Sequence, residues 1–203
     1  MRRTKLAWLL AFAAALVPEG GLAQPAAPDP AGLITPALLD DLRGLLKRDI
    51  VQVTVKAQNA RLAAIDADAI TALDKQWVAE RKAPDKPLIS ATLSNPLSTY
   101  LLRMQARSLG LYSEVFIMDA KGLNVGQSSI TSDYWQGDEA KWQKTFAVGA
   151  DAVFVDEPEW HAETKTWRVQ VNMAIPDASG GAPIGAATFE INLTELQRRH
   201  AGS

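Results

Sequence analysis

Residues Thr166–Ile175 alternate without a break: Trp167, Val169, Val171, Met173 and Ile175 are apolar or aromatic, while Arg168, Gln170 and Asn172 stand between them. A period of two over ten residues specifies a strand with one face on a core and another, polar, face directed elsewhere. One such strand cannot bury its apolar side alone, so the rest of the chain must supply a sheet and a layer to cover it.

Sequence on both sides of this strand meets that demand. Thr35 and Pro36 suit an N-cap and first helical residue, and Leu38, Leu42, Leu45, Leu46, Ile50, Val53, Leu62, Ile65, Leu73 and Trp77 recur in steps of three and four. The segment from Thr35 to about Lys82 therefore reads as helical, as one helix or two. Asp49–Val55 is rich in β-branched residues and could be a strand by propensity alone, but its periodic flanks favour helix. Ala83–Pro87 reads as a loop, Asn95-Pro96 as the start of a helix that Gly110 stops. Beyond Gly110 the period changes to two. Tyr112–Asp119, Gly122–Gln127, Ala150–Asp156, Thr166–Ile175 and Pro183–Asn192 read as five strands, with turns at Asp119–Gly122, Ala162–Lys165 and Ser179–Gly181, and Leu193–Arg199 as a closing helix. Helices followed by strands in hairpin succession predict an α+β domain with an antiparallel sheet.

Residues 1–23 predict a secretory signal peptide: Arg2, Arg3 and Lys5 precede the twelve apolar residues Leu6–Val17, and Gly21-Leu22-Ala23 offers small residues for cleavage before Gln24. An apolar run of this length is short for a spanning helix, which needs roughly 20 residues. The Pro- and Ala-rich residues 24–34 read as a tether, and 35–203 as one domain. The expected location is periplasmic or secreted, with no membrane insertion after cleavage. Of 203 residues, 21 are Lys or Arg and 23 Asp or Glu; without residues 1–23 the net charge moves from −2 to about −4. The basic residues are scattered, which argues against nucleic acid as a partner. There is no cysteine and only two histidines, His161 and His200. Thiol chemistry is excluded, and a His-based triad or metal site has little material. The expectation is a chain that is not an enzyme and has no cofactor or metal.

Candidate site residues cluster in Asp133–Trp142. Tyr134, Trp135 and Trp142 offer flat apolar walls, and Asp133 and Gln136 offer directional polar groups, a composition suited to a small-ligand pocket. Trp135 and Trp142 are seven apart and would share a face if helical; packing beneath a helix is the alternative role. Asp133 could cap a helix instead of binding an amine. Arg168 and Gln170 line a pocket if their strand face is covered, with Arg168 clamping a carboxylate, or are solvated if it is open. Asp156, at the end of a strand, could meet an amine.

Three stretches carry a family resemblance. Val115–Gly122 looks like the first hairpin of the Cache domain, the PAS-like extracytoplasmic sensor of histidine kinases and chemoreceptors; Thr131–Gln136 with Asp138, Glu139, Trp142 and Gln143 looks like its pocket segment. Ala152–Asp156, Thr166–Ile175 and Ile184–Leu193 look like its later strands. The resemblance implies a five-stranded antiparallel PAS-like sheet with the long N-terminal helical segment packed against it. It implies a small-molecule ligand of the amino acid, amine or organic acid class, held by Asp133, Tyr134, Trp135, Gln136, Trp142, Asp156, Arg168 and Gln170. Family members usually sit between two membrane helices; here no second span follows, so a stand-alone exported module that relays occupancy to a membrane-bound sensor partner, with homodimer pairing, is the expectation. The alternative is a non-enzymatic interaction subunit with a vestigial pocket, working through its N-terminal helix.

Overall fold

A computed structural model describes residues 24–202. The expected signal peptide lies outside the described residues, and among those described no helix is long and apolar enough to cross a membrane.

The helical segment is divided. A single turn, α1 (Pro30–Leu33), is followed by α2 (Pro36–Leu46), α3 (Asp49–Arg61) and α4 (Ala67–Glu80). Thr35 and Asp66 cap α2 and α4 by accepting the backbone N–H groups of Leu38 and Ala69. The β-branched stretch is helical, in α3, because Val51 and Val55 reach the core from one helix face; tertiary burial outweighs local strand propensity. A helix not anticipated from the sequence, α5 (Pro87–Leu93), precedes α6 (Pro96–Arg107). Its N-terminus has no side-chain cap of its own. Instead Glu80, at the end of α4, accepts the N–H groups of Leu88 and Ile89 at 3.1 and 2.9 Å, a long-range cap that local sequence does not reveal.

Six strands follow: β1 (Tyr112–Asp119), β2 (Asn124–Gln127), β3 (Val153–Val155), β4 (Glu159–His161), β5 (Thr166–Pro176) and β6 (Pro183–Asn192). The four-residue α7 (Ala140–Gln143) lies between β2 and β3, and α8 (Leu193–Ala201) closes the fold. All pairings are antiparallel, in the order β2-β1-β6-β5-β3, with β4 also beside β5. The six strands fill five positions. β3, within the third expected strand, pairs with Val171–Met173, and β4, which was not anticipated from the sequence, pairs with Thr166–Arg168, so the two form one edge broken between Val155 and Glu159. Pro158, which has no N–H to give the ladder, lies in the break. The turn at 162–165 accordingly joins β4 to β5. This is the α+β layout with an antiparallel sheet that the sequence predicts, with six strands where five were expected.

The alternation of β5 is used on both faces. Val169, Val171, Met173 and Ile175 join Val115, Ile117, Phe189 and Ile191 in the main core, covered by Leu42, Leu46, Val51, Val55, Leu97 and Leu101 from the helices. The opposite face of the sheet carries Phe116, Met118 and Ala186 in a smaller cluster capped by Trp142 and Phe146. That face is therefore covered by the segment between β2 and β3, and what this segment leaves uncovered is the candidate site.

Candidate ligand-binding site

The segment after β2 is held to the β1–β2 hairpin by its backbone and by two indoles. Leu123 and Trp135 form a bridge, and Gln136 N donates to Gly122 O at 2.8 Å. Trp135 Nε1 donates to Lys121 O at 2.8 Å, and Trp142 Nε1 to Asp119 O at 3.2 Å. Both tryptophans thus brace the same turn. They do not lie on one helix, since only Trp142 belongs to α7. Gly122 has φ of +83°, and a Cβ there would stand 2.5 Å from Gly137 Cα; the turn and the cover segment touch backbone to backbone, which glycine alone permits.

From α4, Asp74 accepts the N–H groups of Tyr134 and Trp135. Tyr134 is directed toward the helices: its ring stacks on Trp77 at 5.3 Å in a second small core with Ile89 and Leu123. Trp142 stacks on Phe146 at 4.9 Å. Asp133 is tied to Gln136 Nε2 through its carboxylate, and its carbonyl accepts from Thr131 and Asn124.

With the cover so fixed, a cleft of about 170 Å³ opens over the outer ends of β5 and β6. Arg168 and Gln170 form its floor with Glu190; Asp156, Glu157 and Glu159 from the broken edge form one wall, and Glu139 and Lys141 at the start of α7 form the other. Its size is below the range of drug-sized pockets, about 300–1,000 Å³, and suits a ligand of a few heavy atoms. Arg168 Nη1 meets Glu190 at 2.8 Å, with both side chains about four-fifths buried (21% and 18% exposed). Lys141 Nζ meets Glu139 at 2.8 Å. Arg168 Nη2 donates to Thr164 Oγ1, while its Nε is buried without a partner.

The structure therefore brings Asp156, from the broken edge, together with Arg168 and Gln170 of β5. Gln136 is buried behind the wall and reaches the cleft by accepting from Lys141 Nζ at 3.2 Å; Asp133 stands one bond further back. Tyr134, Trp135 and Trp142 do not line it. Sequence reasoning did not single out Lys141, Glu190 or Glu114. A signal existed for the last two: once the Ser179–Gly181 turn sets the β5–β6 register, Glu190 must lie between Gln170 and Glu114 on one face. Among the described residues, no group of three or more His, Asp or Glu is arranged to hold a metal ion.

No family model matches the chain, and no curated protein matches it. Solved structures do. The chain is similar to the ligand-binding domain of the Pseudomonas aeruginosa amino acid chemoreceptor PctC in complex with GABA, at 17% identity and a TM-score of 0.35, over 80% of this chain and 63% of that one. It is similar to the ligand-binding domain of the Campylobacter jejuni chemoreceptor Tlp3 in complex with 4-methylisoleucine, at 15% identity and a TM-score of 0.38, over 85% and 66%. It is also similar to the sensor domain of the V. cholerae histidine kinase DctB, at 13% identity and a TM-score of 0.35, over 80% and 58%. The chain spans less than two thirds of the length of each. Its own layout has a helical layer on one sheet face and a cover segment with a cleft on the other.

Proposed function

We propose that residues 35–203 form one exported sensor module that binds a small polar or zwitterionic ligand in the cleft between α7, the broken edge strand and the β5–β6 floor, and passes occupancy to a membrane-bound partner. The observation that carries this reading is the pairing of opposite charges in one recess: the largely buried Arg168, whose Nε has no partner, and Lys141 stand among Asp156, Glu190 and the more exposed Glu157 and Glu159. Charged groups held at low exposure cost desolvation free energy, and a ligand with an acid and an amine can offset that cost at both signs. A ligand carboxylate would approach Arg168 and Lys141, and an ammonium would approach the acidic wall.

A contiguous set of contacts leads away from the cleft. Lys141 belongs to α7, whose Trp142 bonds to the Asp119 carbonyl. The Asp119 carboxylate accepts from Gln58 on α3 at 3.0 Å, and Asn59 on α3 accepts from Ala120 N and donates to Ile184 O. Movement of α7 upon binding would thus reach the helical layer through packed, hydrogen-bonded groups, the kind of network that coupling requires.

A thermal-shift screen of amino acids, amines and organic acids tests the reading. Ligands of one class should raise the melting temperature in proportion to the logarithm of their concentration, and Arg168→Ala should abolish the shift. Absence of a shift from all three classes would refute it.

A further inference from the structure

The two cations of the cleft are already committed, Lys141 to Glu139 and Arg168 to Glu190. Glu114 has no such partner. It lies directly opposite Glu190 in the β1–β6 ladder, where Cβ atoms are about 4.5–5.5 Å apart and two like charges destabilise the pair. Its carboxylate accepts from Ser129 Oγ at 2.5 Å. The charged groups that face it are Glu190 on β6, Lys141 on α7 and Arg168 on β5. Burial pushes the Glu114 carboxyl above the usual range, and Glu190 adds to this, against the opposing effects of Ser129, Lys141 and Arg168. A half-buried carboxyl one strand behind a cleft carboxylate, Glu190, where the cleft's cations are engaged, is a place where a proton substitutes for a missing cation.

We propose that Glu114 is a specificity-determining residue of the cleft: it carries a proton in the unliganded protein and releases it when a ligand places an ammonium group beside Glu190. The inference rests on the cleft being a small-ligand site. The O–H bond of the carboxyl breaks, the proton passes to water, and the ligand's ammonium becomes the counter-charge of the two carboxylates. The cleft then prefers cationic and zwitterionic amines to simple organic acids, because an organic acid brings no charge that can take the proton's place. As pH rises toward the Glu114 midpoint, binding strengthens by up to about tenfold per pH unit, and above the midpoint it is flat, as linkage to one released proton requires.

Carbon-detected NMR of the Glu side-chain carboxyls, followed from about pH 4 to about pH 8 and assigned with Glu114→Gln, reads the proton directly. Glu114 should titrate above the other glutamates, and methylammonium should lower its midpoint while acetate does not. Calorimetry with the best amine from the ligand screen, in two buffers of different ionisation heat, should show proton release by the wild type and none by E114Q, whose affinity should not change with pH. A Glu114 that titrates with the exposed glutamates, or whose midpoint methylammonium leaves in place, overturns the proposal. If Glu114 titrates high and responds to methylammonium while no ligand class shifts the melting temperature, the proton site stands and the sensor reading fails.

Discussion

Asp74 on α4 and Trp135 in the cover segment are joined by a hydrogen bond of 3.0 Å from the Trp135 backbone N–H to the Asp74 carboxylate, and the same oxygen accepts from Tyr134 N at 2.9 Å. One carboxylate thus fixes the height at which the cover crosses the β1–β2 hairpin, and through it the position of α7 over the sheet. Asp74→Ala leaves two backbone donors without their partner, each costing about 1–3 kcal/mol if it stays buried. Chemical denaturation should show a loss of about 2 kcal/mol or more if both stay buried. Asp74→Asn, which retains an acceptor oxygen, should recover most of it.

Glu80 links two helices in a comparable way. Its burial would raise the carboxyl's pKa, but the N–H groups of Ile89 and Leu88, the Gln76 amide and the Lys86 charge outweigh this and hold it below the usual carboxylate range. A depressed folded-state pKa contributes stability that is complete above the ordinary value near 4.5 and is lost as pH falls through the lower, folded one. Glu80→Gln should therefore be less stable than the wild type at neutral pH, by about 1–2 kcal/mol, and the difference should shrink in acid. Equilibrium unfolding at several pH values measures it.

Asp119 has the opposite sign. Burial raises its pKa, opposed by Gln58, the N–H groups of Leu123 and Lys121, and the Lys121 charge. A raised carboxyl pKa favours the folded state most below the unfolded value, and this contribution is lost as pH rises through the folded one. Asp119→Asn should remove that slope. Because the carboxylate accepts from Leu123 N at 2.9 Å and Lys121 N at 2.8 Å to close the turn, the variant should still fold. A wild-type stability profile without a fall across the carboxyl range would contradict the assignment.

At the turn itself, Gly122→Ala should destabilise by about 1–3 kcal/mol for the positive φ alone. It should also loosen the cover, because the new methyl would meet the Gly137 backbone. Hydrogen exchange at Gln136 N, which donates to Gly122 O, should quicken more than exchange in β5. Equal exchange at both sites would show that the two backbones do not need this contact.

Trp77 is wholly buried, stacks on Tyr134 and donates its indole N–H to Thr131 O at 3.1 Å. Trp77→Ala should cost about 3–5 kcal/mol, the range for deleting a large core aromatic, and thermal unfolding should report it. Tyr134→Phe, which keeps the stack, should cost far less.

Periodicity made the α+β class legible. The change from steps of three and four to steps of two at Gly110, and the alternation of Thr166–Ile175, each depend on which side of one element is apolar, and that is written locally. So were the helix starts at Thr35 and Asn95, where a side chain serves a backbone three residues on. The cap of α5 was not, because its acceptor, Glu80, comes from another helix. The cleft was only half visible for the same reason. Asp156, Arg168 and Gln170 could be picked out by residue type, but their union with Glu190, Lys141 and Glu114 depends on strand register and on where the cover segment lands. Trp135 and Trp142 have the composition of pocket walls, yet their direction is set by what they touch, the Asp119–Gly122 turn and Phe146, and Tyr134, stacked on Trp77, lines a different cleft, on the helical side. Side-chain pattern determines which faces must be buried; only the closed tertiary structure decides which residues from distant elements share the space that burial leaves open.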